Sequence, residues 1–218
     1  LDYLLFVSFF PHLVAGPIVR PKTMLPQLAK EPVASDALKA AGLFQIGTGL
    51  CKKIIIGDTL GINLVNRVFD NPERYSSLEV LVAVYAYAIK IYADFSGYSD
   101  VAIGSARLFG YELPKNFDAP YAAASLQEFW HRWHISLSSW LRDYLYISLG
   151  GNRGSAWKTY RNLLLTMVLG GLWHGASWNF VIWGGLHGGA LAANRAWSRR
   201  RAREATKRDF GAKPSAGR

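Results

Sequence analysis

The apolar positions of this chain fall in blocks whose spacing predicts helices throughout. Tyr3 to Val19 is an uncharged apolar run interrupted by Pro11 and Pro17. A broken or re-entrant helix is expected there, because proline removes a backbone donor and crowds the preceding turn. Arg20 to Pro32 is a basic, proline-punctuated loop. Ser35 is placed to cap a helix running to about Asn66. Lys52 and Lys53 in its middle suit an amphipathic or in-plane helix as readily as a spanning one. Leu78 to Phe95 is a second apolar segment, continuing through Ser96-Gly-Tyr-Ser-Asp100 to Leu108. Ser125, with Glu128 three residues on, opens a helix predicted to reach Leu149, where Gly150-Gly-Asn-Arg-Gly154 terminates it. Leu126, Trp130, Trp133, Leu137, Trp140, Leu141 and Tyr144 share one face of that helix, a stripe that reads first as packing.

Between Arg161 and Arg195 lie 33 residues without an Asp, Glu, Lys or Arg. Since about 20 apolar residues cross the hydrocarbon layer, this stretch reads as lipid-spanning, either one tilted helix or a span plus a turn near Ser177–Asn179. It holds seven glycines, including Gly171-x-x-x-Gly175, Gly184-x-x-x-Gly188 and Gly185-x-x-x-Gly189, a spacing that lets helices approach closely. Near its middle sits His174. An ionisable residue at membrane depth is costly and marks a functional site by default.

Composition agrees with a membrane protein. Half the residues are hydrophobic and 18% are charged, against roughly 25% in soluble domains. The net charge of +10 is concentrated at one end: nine of the 25 basic residues lie between Arg195 and Arg218, opposed only by Glu204 and Asp209. A basic run directly after an apolar span is the expected cytoplasmic flank, and the near-balance elsewhere argues against nucleic-acid binding. Residues 198–218 are expected to form a disordered cytoplasmic tail. All eight tryptophans fall between Trp130 and Trp197, as in interfacial belts. The single Cys51 excludes an intrachain disulfide and reads as a small hydrophobe. The chain starts at Leu1 without a signal-peptide pattern and is expected to be an internal piece of a longer protein.

Three chemistries compete for the histidines. His131 and His134, three apart on one helix, could approach a common metal ion, but no His-Glu-x-x-His occurs and the cysteine is distant. No metal site is therefore expected. A serine hydrolase is disfavoured because Gly175-Ala-Ser-Trp-Asn179 and Gly97-Tyr-Ser-Asp-Val101 both miss the final glycine of the nucleophile elbow. Gly47-Thr-Gly-Leu-Cys-Lys-Lys53 likewise lacks the spacing of a phosphate loop. The third is a desolvated general base: burial disfavours an imidazolium, leaving His174 neutral and able to accept a hydroxyl proton. His134 would hydrogen-bond to it or to the substrate. His131 is expected to be exposed or interfacial, and His12 and His187 structural. A channel or transporter subunit with an intramembrane histidine relay is the non-enzymatic alternative.

Phe129-Trp-His-Arg-Trp-His-Ile-Ser-Leu-Ser-Ser-Trp-Leu-Arg-Asp-Tyr-Leu-Tyr146, Leu149-Gly-Gly-Asn-Arg153 and Gly170-Gly-Leu-Trp-His-Gly175 resemble the membrane-bound O-acyltransferases, in their alginate O-acetylase branch. Asp94-Phe-Ser-Gly-Tyr-Ser-Asp100 and Ala15-Gly-Pro-Ile18 belong to the same likeness, which covers residues 1–195. The resemblance implies an all-α, polytopic inner-membrane protein, of which residues 1–197 form part. Family members are about twice this length, so helices before and after this piece are expected. It further implies a tunnel, with a thioester donor (acetyl-CoA or an acyl-carrier protein) entering from the cytoplasm and a hydroxyl acceptor from outside. No tightly bound cofactor is implied. The family's essential histidine falls on His174 and its second motif histidine on His134, with Asp100 a possible orienting group. The implied reaction is O-acetylation of an exported polysaccharide such as alginate, or acyl or D-alanyl transfer to peptidoglycan or teichoic acid. The implied partners are membrane lipid, a polysaccharide or carrier-protein hydroxyl, and extracytoplasmic acetyltransferase proteins.

Overall fold

A computed structural model of the chain describes residues 1–13 and 16–211. Every regular element among them is helical. The chain divides into two compact units, residues 1–118 and 119–218.

The first unit begins with α1 (Asp2–Ser8), which gives way to a short 3-10 turn (Phe10–His12) at Pro11. This is the break expected of that proline. After α2 (Pro21–Leu28) comes α3 (Asp36–Leu50), capped by the Ser35 side chain, which accepts from the Leu38 amide. Helical backbone then continues in π geometry through Cys51–Asp58 and Gly61–Val65 to α4 (Asn66–Asp70). The long α5 (Ser77–Leu108) opens with a reciprocal capping box between Ser76 and Glu79. Phe6, Phe9, Met24 and Leu28 pack with Ile103, Ala106 and Leu113 into the unit's core.

α3 and α5 meet through glycine. A Cβ at Gly104 would lie 2.6 Å from the Gly42 carbonyl oxygen, and one at Gly97 2.7 Å from that of Gly49. Seven residues separate Gly42 from Gly49, and a regular register would next bring Ile56 to α5. The π turn inserts one residue, so Gly57 is buried and Ile56 stays 42% exposed. Gly57 thereby makes room for the Asp94 carboxylate, and Gly61 for Lys90. Asp94 pairs with Lys90 at 2.8 Å and Lys53 at 3.1 Å. π insertions of this kind recur where a helix must shift register.

The second unit departs from the sequence expectation in three places. The helix expected over 125–149 starts as foreseen, with Ser125 accepting from the Glu128 amide, but is broken into α6 (Leu126–Arg132) and α7 (Ile135–Trp140). The break spans Trp133, which is extended (φ −102°, ψ 128°), and His134, whose left-handed backbone (φ 42°, ψ 55°) cannot continue a right-handed helix. A π turn, Leu141–Tyr146, follows. The uncharged 162–194 stretch takes the turn offered as its second form, just before Ser177–Asn179, but without the expected span: α8 (Ala156–His174) stops at Gly175, and α9 (Trp178–Gly211) returns along it. Among the described residues no helix is long and apolar enough to cross a membrane. The uncharged stretch is split by the turn, and α8 and α9 each include charged residues beyond it, Lys158 and Arg161 in one and the arginine run in the other. Finally, α9 continues to Gly211, past the point where disorder was expected. The rest of that expected tail, 212–218, lies outside the described residues.

If the glycine contact sets the α3–α5 spacing, Gly104→Val will overpack it, at a cost of about 1–3 kcal/mol or more. The yield of monodisperse full-length protein in detergent should drop sharply. Gly47→Ala, where a Cβ meets nothing within 4 Å, should leave that yield intact.

Candidate active site

His174 is the last residue of α8, held where Gly175 ends the helix (φ 167°, ψ 151°). Its ring lies edge-on to Trp183 at 5.6 Å and to Trp173 at 5.2 Å, and stacks on Phe180 at 6.1 Å. These neighbours reach it because α8 and α9 touch backbone to backbone. Gly171 and Gly184 leave no space for a side chain against Phe180 and Met167, and a Cβ at Gly188 would lie 2.8 Å from Leu164 Cα. Of the glycine pairs in this stretch, Gly184/Gly188 forms the contact, whereas Gly185 and Gly189 face open space.

His174, Trp183 and Trp130 line a cavity of about 280 Å³. Its walls are largely apolar, from Leu137, Leu141, Leu163, Met167 and Leu191. Arg142, Tyr146, Asn152 and Arg195 also line it. The Tyr146 hydroxyl donates to Asn152 Oδ1 at 2.6 Å. The loop carrying Asn152 depends on Gly150 (φ 103°) and Gly151 (φ 55°) in the left-handed region, and buried Asn162 of α8 donates to the Gly151 carbonyl at 3.1 Å. The Leu149-Gly-Gly-Asn-Arg153 motif is thus a turn pinned to α8.

The burial expected of His174 is found instead at His134. His134 is buried, 5% exposed, whereas His174 is exposed in this chain. His134 caps α7 with strained backbone, a conformation in which histidine is enriched among non-glycine residues. Burial, reinforced by the charge His174 would carry, lowers its pKa to about 4. The two imidazoles are therefore within reach of each other's charge. His134 is not itself among the cavity-lining residues; His131, exposed as expected, is. His187 accepts a structural place, its Nδ1 2.8 Å from the Trp183 carbonyl oxygen and its ring 4.4 Å from that of Trp183. His12 stacks on Phe6 at 5.3 Å in the first unit.

Asp100 belongs to the first unit, where Lys52 Nζ binds it at 2.6 Å and Gln45 Nε2 at 3.0 Å. Gln45 in turn accepts from Arg107 at 2.8 Å. These bonds tie α5 to α3 and its π continuation. Among the described residues no three or more His, Cys, Asp or Glu side chains converge as a metal-ligand group. The sequence did not single out Arg142, Tyr146, Asn162 or Arg195; the signals were that Arg142 and Tyr146 lie in the Phe129–Tyr146 stretch and that Arg195 bounds the uncharged one.

A model of the membrane-bound O-acyltransferase family matches residues 1–216. A probable alginate O-acetylase of Azotobacter vinelandii is 48% identical over 195 residues, covering 89% of this chain and 38% of that protein. A peptidoglycan O-acetyltransferase of Helicobacter pylori is 47% identical over 200 residues, covering 91% and 38%. A teichoic acid D-alanyltransferase of Streptococcus thermophilus is 30% identical over 212 residues, covering 92% and 51%. The chain thus spans well under half the length of the two O-acetyl-group relatives.

An unfolded histidine takes up its proton near pH 6.5, folded His134 only near pH 4. Between those values the unfolded state binds more protons, so stability is full above pH 6.5 and falls as pH drops towards 4, by up to roughly 3 kcal/mol. Thermal unfolding of the full-length protein in detergent at stepped pH should show this loss. His134→Asn, which tolerates the left-handed backbone, should flatten it.

Proposed function

Since the chain belongs to the membrane-bound O-acyltransferase family, we propose that the whole protein transfers an acyl group, most simply acetyl, from a thioester donor to the hydroxyl of an exported polysaccharide. The observation that carries this reading is the place of His174: at a helix end, on the wall of an apolar cavity, ringed by aromatic side chains. In the whole protein His174 takes the proton of the acceptor hydroxyl. The oxygen attacks the acyl carbonyl, the C–O bond forms as the C–S bond breaks, and the proton passes from the imidazolium to the departing thiolate. General-base assistance of this kind is typically worth about 10²–10⁴-fold. His134 is a positioning residue, neutral and held by its backbone, that orients His174 or the bound hydroxyl.

His174 is uncovered in this chain, and α3, its π continuation and α5 carry exposed Phe44, Ile54, Ile55, Leu78 and Tyr85. Lipid and the helices outside this chain cover these surfaces in the full protein, which we place in the inner membrane as a multi-pass protein. Extracytoplasmic acetyltransferase partners hand on or receive the acyl group. The likeness to an alginate O-acetylase favours alginate as acceptor. The nearly equal likeness to a peptidoglycan O-acetyltransferase supports that polymer as the second reading.

In cells carrying the full-length protein, His174→Ala should lower acetylation of the surface polymer by at least about 10²-fold with membrane expression unchanged. Mass spectrometry of alginate and of peptidoglycan reads both the loss and the acceptor. Wild-type acetylation in that variant would exclude His174 as the base.

A further inference from the structure

The cavity in the second unit has chemically unlike ends. His174 and Trp183 mark one. Arg195 lies twelve residues after Trp183 on α9, a backbone separation of about 18 Å at the helical rise. Between them the lining is dominated by Leu163, Met167 and Leu191. Arg195 lies towards the far end with Tyr146 and its partner Asn152, and with Arg142 the lining carries two positive charges and no carboxylate. Asp143, beside Arg142 in sequence, is not among the lining residues and binds Arg142 Nε at 2.8 Å. Arg195 Nε is buried without a hydrogen-bond partner among the described residues. Arg195 and Arg199 both lie near enough to Tyr146 to favour its anionic form, although burial outweighs them and holds that hydroxyl above its ordinary pKa. Arg199 itself sits over the Tyr160 ring, 5.9 Å from its centroid.

Arg195 is half-buried, and a guanidinium whose Nε donor is shut off from water and idle is costly unless an acceptor completes it. Its planar fork matches a carboxylate or a phosphate. We infer that Arg195, assisted by Arg142, is an anion-recognition subsite that holds a phosphate or carboxylate of the substrate at the opposite end of an apolar slot from His174. The subsite rests on the acyltransferase reading of His174 as the reacting end. It selects long, thin substrates whose anionic group is separated from the reacting carbonyl or hydroxyl by an uncharged stretch of matching length. Two sources supply such a group, the phosphate of a thioester donor's carrier arm and the carboxylate of a uronic-acid polymer.

The test uses purified full-length protein and two unreactive probes, desulfo-coenzyme A for the phosphate and a mannuronate hexamer for the carboxylate. Binding is read by the fluorescence of tryptophans such as Trp130 and Trp183. Arg195→Gln should weaken one probe by roughly 30- to 100-fold, the loss expected when one partner of a desolvated charge pair is truncated. Arg195→Lys, which keeps the charge but not the fork, should fall between variant and wild type. Which probe weakens names the source. Affinities unchanged by Arg195→Gln, or no binding of either probe to the wild type, overturn the subsite. A wild type that binds a probe through Arg195 but transfers no acyl group overturns the enzymatic reading instead.

Discussion

Backbone contact between α8 and α9 is what the second unit is built on. Gly171, Gly184 and Gly188 remove the side chains that would hold the two helices apart. Close approach of this kind gains dispersion contacts along the whole seam. It also brings Phe180 and Trp183 against His174 and sets the apolar walls of the cavity. A larger residue at any of the three glycines would widen the slot and move the imidazole together, so stability and site geometry share one cause.

The first unit solves the same packing problem with a different device. Its α3–α5 seam also runs on glycine, yet it must admit charged groups. The π turn at Cys51–Asp58 shifts register by one residue so that Gly57 meets Asp94. The charges then find partners: Lys52 with Asp100 and Lys53 with Asp94 across the seam, and Lys90 with Asp94 along α5. Partly buried charges persist only when paired. The Asp94–Asp100 motif thus serves helix pairing, with Asp100 engaged by Lys52 and Gln45.

Local signals were legible wherever a few neighbouring residues decide the outcome. Ser35 and Ser125 cap the helices they were expected to cap, and Pro11 breaks the first apolar run. The break at His134 was not legible. Histidine has no fixed backbone preference, and a left-handed residue outside glycine survives only when its surroundings hold it there. Buried Ser136 and Leu137 and the bond from Ser138 Oγ to the Trp133 carbonyl supply those surroundings. The contrast in burial between His134 and His174 escaped prediction for a related reason, since periodicity gives a face and says nothing of what covers a helix end.

The sequence by itself determined the helical class, the uncharged stretch around His174, the family likeness and the residue types available for chemistry. All of these follow from composition and short-range pattern. Tertiary structure alone decided between the single long helix and the turn that the sequence left open, because the turn is held by contacts between distant glycines. It also decided which glycine register packs: Gly184/Gly188 and Gly185/Gly189 are equivalent as strings, and only the partner helix tells them apart. Arg195 shows the same division. As sequence it is the charge that ends an apolar run; in three dimensions it is a half-buried side chain, its Nε out of reach of water, on the wall of the cavity that His174 also lines.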